Sequence, residues 1–182
     1  MKIRMPRGSS SALVLAVAAG VALTGLGLYS QRQDVAGIRN FTKADASIAC
    51  GGAIEPSAAG ELAKRGYKVI ISLRENSEAG SQTSEIDAAT RAAGMRFIHV
   101  PMSAQSPSES SAAAAVAALG DTGNHPVFIY DAGGSRAAAV LMIKRMLVDG
   151  WPEERAYNEA VSIGLSSPGL KAFVLDYVAR HR

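Results

Sequence analysis

The sequence runs to 182 residues, with 19 Lys and Arg against 16 Asp and Glu and a formal net charge of +3. Four of the cations (Lys2, Arg4, Arg7 and Arg32) precede position 33 and no carboxylate does, so the rest of the chain is near neutral and offers no concentrated basic surface for nucleic acid. A single cysteine, Cys50, excludes an internal disulfide and any multi-cysteine metal site.

After the first basic residues, Ala12 to Tyr29 forms a run of 18 residues without a charge. At the helical rise this spans roughly 27 Å, close to one bilayer core. Residues 1–30 therefore read as a signal peptide or signal anchor, a single transmembrane or signal helix ahead of the domain. An uncleaved anchor is favoured, because an Ala-x-Ala site (Ala16, Ala18) occurs only inside the apolar run. The excess of cations before the run places the following domain on the extracytoplasmic side, membrane-anchored or secreted. Residues 31–45 read as a linker, and 46–182 as one domain large enough to bury a core.

Residues 50–56 suggest a short strand and turn, and Ser57 is placed to cap a helix ending at Gly66. Lys68 to Leu73 is a β-branched apolar run expected to be a strand buried on both faces. A polar loop over 75–84 precedes a helix that ends at Gly94, and residues 96–100 form the next strand, closed by Pro101. The Ser- and Pro-rich stretch 103–112 reads as a loop, followed by an alanine-rich helix to Leu119. Val127 to Tyr130 is a third apolar strand. Helices follow from Arg136 to Val148, from Pro152 to about Ile163, and from Ser167-Pro168 to the C-terminus. Strands alternating with helices predict an α/β fold with a mostly parallel central sheet flanked by helices.

The segment from Pro126 to Arg136 carries the chemistry. A buried strand passes into Asp131-Ala132-Gly133-Gly134-Ser135, and Arg136 opens a helix. Successive amides, a helix N-terminus and a guanidinium converging on one spot form an anion cradle. In such sheets the loop leaving a central strand is the ligand position. Among the other polar groups, His99 and Arg74 read as structural, His125 and His181 as exposed, and Trp151 as packing a helix end. No His/Asp/Glu spacing suggests a metal.

From Asn40 onward the chain resembles the dual-specificity and tyrosine phosphatase superfamily, in its small bacterial phosphatase-like branch. The likeness is carried by Cys50-Gly-Gly-Ala-Ile-Glu-Pro56, by Tyr67 to Arg74, by Gly94 to Pro101, and by Gly150-Trp151 with Glu159 to Gly164. It implies a phosphate-binding loop over Ala132, Gly133, Gly134, Ser135 and Arg136, with no cofactor.

The signature departs from the family at its nucleophile. With four residues before Arg136, Asp131 takes the position of the catalytic cysteine and Tyr130 that of the preceding histidine. With five, Tyr130 takes the cysteine position and Ile129 the histidine. The four-residue spacing keeps Pro126 and the apolar strand in register without a gap. Neither spacing supplies a thiol.

The general-acid aspartate that the family places after its "h-i-P" strand is also missing, because residues 102–108 hold no carboxylate. Glu109 reads as a solvated first-turn residue. The implied function is an inactive pseudophosphatase, or a module binding phosphate or a phosphorylated ligand, at the membrane. The alternatives are an active phosphoric-monoester hydrolase with a non-cysteine mechanism, and a structural partner of an envelope complex. Expected partners are a phosphorylated ligand or a protein, with the membrane engaged through the N-terminal helix. The sequence further suggests that Asp131 itself fills the cradle, accepting amides from Gly133 to Ser135 and pairing with Arg136.

Overall fold

A computed structural model describes residues 31–182. The apolar run of residues 12–29, read as a signal peptide or anchor, lies outside the described residues. Among those described, no helix is long and apolar enough to cross a membrane.

A six-stranded sheet is built from β1 (Gln31–Arg32), β2 (Thr42–Lys43), β3 (Ile48–Gly51), β4 (Val69–Ser72), β5 (Arg96–His99) and β6 (Val127–Tyr130), in the order β1-β2-β3-β6-β4-β5. The four strands from β3 to β5 are parallel, whereas β1 and β2 add an antiparallel ribbon at one edge. The sheet is therefore mixed, with a parallel centre. The linker expected over 31–45 is corrected: these residues form that ribbon, and Val35, Ile38 and Phe41 are buried in the core. Sparse periodicity hid them. Two-residue strands bounded by turns carry too little alternation to read.

Alternation along the central strands sends side chains to two separate cores. Ile48, Cys50, Val69, Ile71, Val127 and Ile129 face α3 (Glu109–Gly120), α4 (Ser135–Leu147), α5 (Glu153–Ile163) and α6 (Pro168–His181). Ala49, Ile70, Phe128 and Tyr130 face α1 (Ala58–Lys64) and α2 (Thr83–Ala92). Apolar residues on both faces explain why these strands read as continuous apolar runs rather than alternating ones.

Helix α4 is the centre of the first core, buried from Arg136 to Met146. Ala137, Ala138 and Ala139 present little side chain, which permits close packing against its neighbours. At its C-terminal end the buried Arg145 is neutralised by Asp45 at 2.7 Å, Asp149 at 2.9 Å and Glu159 at 2.8 Å. Its guanidinium also lies over the Trp151 ring, and Arg155 covers the same ring. Trp151 thus packs a helix end, as expected.

Two local expectations change. Ser57 adopts helical backbone angles and makes no side-chain cap, so helix α1 begins without the predicted hydroxyl acceptor. His125 is half-buried rather than exposed, its Nε2 lying 2.9 Å from the Leu119 carbonyl oxygen.

Candidate functional site

The loop leaving the C-terminal end of β6 lies at the centre of the sheet, between β3 and β4. Two features shape it. Gly134 takes φ +104, a left-handed conformation that a side chain would strain, and helix α4 starts at the next residue. Behind the loop sits Gly52, where a Cβ would come within 3.1 Å of the Ala132 carbonyl oxygen and 3.2 Å of the Gly133 carbonyl carbon. The β3 exit therefore packs backbone to backbone on the cradle. The Ala53 amide donates to the Ala132 carbonyl, and the Asn40 side chain donates to the Gly133 carbonyl.

Asp131 turns its carboxylate into this cradle. It accepts the Gly134 amide at 2.7 Å and the Arg136 Nε–H at 3.2 Å. Longer contacts come from the amides of Gly133 (3.5 Å), Arg136 (3.4 Å) and Ala137 (3.5 Å). The side chain is almost wholly buried, at 3% exposure. The donors include amides at the N-terminus of α4, where the helix dipole favours negative charge. The expected set of amide donors is corrected: the Ser135 amide does not join, whereas those of Arg136 and Ala137 do. The Ser135 hydroxyl faces elsewhere, accepting the Ser166 amide at 3.2 Å.

Tyr130 is excluded from the loop. Its side chain belongs to the opposite core, with the ring 6.0 Å from that of Phe128 and nearly parallel to it. Successive strand residues face opposite sides, which leaves Asp131 as the residue that enters the cradle.

Arg136 has a second carboxylate partner that the sequence did not disclose. Glu78, from the loop after β4, accepts Nη1 at 2.5 Å and Nη2 at 2.9 Å. Nη1 also donates to the carbonyl oxygens of Met102 (2.7 Å) and Leu73 (3.2 Å). The guanidinium is therefore fixed along its Nη1/Nη2 edge by Glu78, and its Nε is left to Asp131. Burial opposes ionisation of Glu78, but hydrogen bonds from Arg136, the Glu75 amide and Arg74 outweigh it and hold the carboxyl at about 2.

The same loop is clasped by Arg74. Its Nε pairs with Glu78 at 3.2 Å, and its Nη1 and Nη2 donate to the carbonyl oxygens of Gly80 and Ala79. Arg74 is a structural residue, as expected, and His99 is another, with Nε2 2.7 Å from the Arg74 carbonyl oxygen. The only sequence hint of Glu78 was its i,i+4 spacing from Arg74. Nothing local pointed to a partner 58 residues away. Glu109 stays exposed and ion-pairs with Arg180, so it supplies no acid to the cradle.

The group at the centre of the loop is a carboxylate already engaged by five donors. The arrangement grips an anion, and the anion it grips is its own side chain.

Residues 38–148 match the family model for the beta-lactamase hydrolase-like protein, phosphatase-like domain. Among solved structures, the chain is similar to a phosphatase-like protein of Shewanella putrefaciens, at a TM-score of 0.69 and 20% identity over 80% of this chain and 95% of that one. It is also similar to TpbA of P. aeruginosa, at 0.65 and 15% identity over 86% and 92%. A third likeness is to the core catalytic domain of the PP-IP phosphatase SIW14 of S. cerevisiae, at 0.63 and 16% identity over 81% and 93%. These likenesses show a shared fold. Among proteins of curated function, none matches the sequence.

Proposed function

The chain belongs to the family of beta-lactamase hydrolase-like protein phosphatase-like domains, within the tyrosine and dual-specificity phosphatase-like fold, and from that premise we propose that it is a pseudophosphatase. It keeps the phosphate-binding architecture, acts through binding, and performs no ester hydrolysis of its own. Asp131 stands where the family has its nucleophilic cysteine. The observation that carries the reading is the Asp131 carboxylate seated on the Gly134 amide and the Arg136 Nε–H.

Two physical arguments support this. A carboxylate is a far weaker nucleophile than a thiolate in such a loop, and its attack would produce an acyl phosphate. Its charge also opposes a dianionic ligand in the space it already fills: at an effective dielectric of 20, two unit charges about 4 Å apart repel by roughly 4 kcal/mol. We further propose that residues 1–30 hold the domain at a membrane on its extracytoplasmic side. This is supported by the uncharged run from Ala12 to Tyr29 and the cations before it.

Turnover of a chromogenic phosphate monoester by the purified protein tests the proposal. The expected result is background hydrolysis that is the same in Asp131→Ala and Arg136→Ala. Activity above background that both substitutions abolish would instead establish a hydrolase working through Asp131. Asp131→Cys is the complementary variant, in which recovered turnover confirms that the rest of the apparatus is intact.

A further inference from the structure

We propose that the end of the sheet opposite the cradle is a docking face for an anionic lipid bilayer, which holds the domain with the cradle directed away from the membrane. The inference rests on reading residues 1–30 as a membrane segment, and it adds a second contact to that tether.

The topology defines the face. Register aligns Ile48, Val127, Val69 and Arg96 at the N-terminal ends of the four parallel strands, and the cradle lies beyond their C-terminal ends. Strand β2 runs against β3, so Lys43, opposite Ala49, lies toward the same end as Ile48. Gln31 pairs with Lys43. The uncharged run ends at Tyr29, so the chain enters the domain at the sheet end remote from Asp131.

Cations that are scattered along the sequence, and so did not read as a basic surface, are brought together there by the fold. Lys43 ends β2, Lys64 and Arg65 close α1, Lys68 precedes β4, Arg91 lies in the last turn of α2, and Arg96 opens β5; all six are exposed. The carboxylates at this end are mostly neutralised. Glu61 pairs with Lys64, Asp87 with Arg91, and Asp45 and Asp149 with Arg145. The acids that remain at this end are Asp121, whose carboxylate accepts the Gly123 amide, and the exposed Glu153 and Glu154 in the first turn of α5, on the far side of the sheet from α1 and α2. Lys43, Arg65, Lys68 and Arg96 have no carboxylate partner among the described residues. At the opposite end Glu78 and Asp131 are paired with Arg74 and Arg136, and the exposed Arg39 lies near Glu55 and Glu75, so that end shows no comparable set of unpaired cations among the described residues. The group formed by Lys43, Arg65, Lys68 and Arg96, with the apolar run joining beside it, matches a negatively charged headgroup layer. Such attraction acts within about one Debye length, so the tether brings the cations into range.

The test uses the full chain, reconstituted into vesicles of phosphatidylcholine alone or with about 30 mol% phosphatidylglycerol, a composition that gives a negative surface potential. One label is placed at Ala46→Cys, in the exposed turn before β3, and a second at Ser77→Cys, in the loop beside the cradle; Cys50 is fully buried. Accessibility to an aqueous quencher is then measured. The Ala46 label is expected to be shielded at least about threefold in the anionic vesicles only, and released by about 0.5 M salt, which shortens the Debye length. Lys43→Glu with Lys68→Glu should release it as well, while the Ser77 label stays accessible throughout. Equal accessibility in both vesicles, salt-insensitive shielding, or shielding at Ser77 would overturn the proposal. Flotation with phosphatidylcholine alone reports the membrane segment separately. If it fails, salt-reversible flotation with anionic vesicles still supports the docking face, and its absence rejects it.

Discussion

Glu78 and Arg136 meet through two parallel hydrogen bonds, Nη1 to Oε1 at 2.5 Å and Nη2 to Oε2 at 2.9 Å, although 58 residues separate them. This pair ties the loop after β4 to the first turn of α4. It also joins Arg74 and Arg136, each at most 5% exposed, through one carboxylate.

Glu78→Gln therefore leaves two buried guanidinium groups without their shared counter-charge. Breaking such a group from one side costs about 3–5 kcal/mol when fully buried. Because Glu78 is a fifth exposed, the expected loss is nearer the bottom of that range. A domain of this size should melt roughly 6–12 °C lower, at about 2–4 °C per kcal/mol. Thermal unfolding checks this, and an unchanged midpoint would show that the pair is solvated in solution.

Acid should weaken the fold through the same residue. The Glu78 carboxyl is held at about 2, below its ordinary value of 4.5. Its stabilisation is thus complete above about pH 4.5 and is lost as pH falls toward 2, up to about 3 kcal/mol in all. Asp45 and Asp149 are depressed in the same sense, each by hydrogen bonds from paired cations acting against burial. Urea midpoints taken between pH 6 and pH 2.5 should fall steeply, and Glu78→Gln should flatten that slope.

Asp131→Ala should open the cradle. The Gly134 amide and Arg136 Nε–H lose their acceptor, and Glu78 keeps the guanidinium oriented. Removing the like charge relieves roughly 4 kcal/mol of repulsion, about a thousandfold in affinity for a tetrahedral anion. Calorimetric titration with phosphate or tungstate should detect binding to the variant and none to the parent protein. Binding of equal strength to both would mean that Asp131 does not occupy the site in solution.

Gly52→Ala should disturb the loop from behind, since its Cβ would press on the backbone of Ala132, Gly133 and Arg39. Overpacking against main chain costs about 1–3 kcal/mol. In Asp131→Ala carrying this second change, anion affinity should drop, and titration of the double variant reads the effect directly.

Tyr130→Phe is expected to change stability by no more than about 1 kcal/mol, because the buried hydroxyl makes no well-formed hydrogen bond among the described residues and interacts only weakly with the Ser72 side chain. A loss of several degrees in melting temperature would assign the hydroxyl a partner, and would reopen the placement of Tyr130 relative to the cradle.

Much of this molecule could be read along the chain because its signals are local. Val127 to Tyr130 was expected as a strand and is one, and the alternation of apolar runs with helical spacing defined the parallel centre of the sheet. The glycine pair, the helix start and Arg136 lie within a few residues of one another, so the convergence of amides and a guanidinium on this loop was visible in the spacing alone. The ribbon over residues 31–45 was not, because two-residue strands carry almost no periodicity and gain their place from the partners they pair with. Which of Tyr130 and Asp131 enters the cradle was settled by the facing of β6, a property of the assembled sheet. Glu78 depended on folding most of all: a carboxylate in a polar loop has no local mark that distinguishes solvation from capture by an arginine brought to it across the sheet.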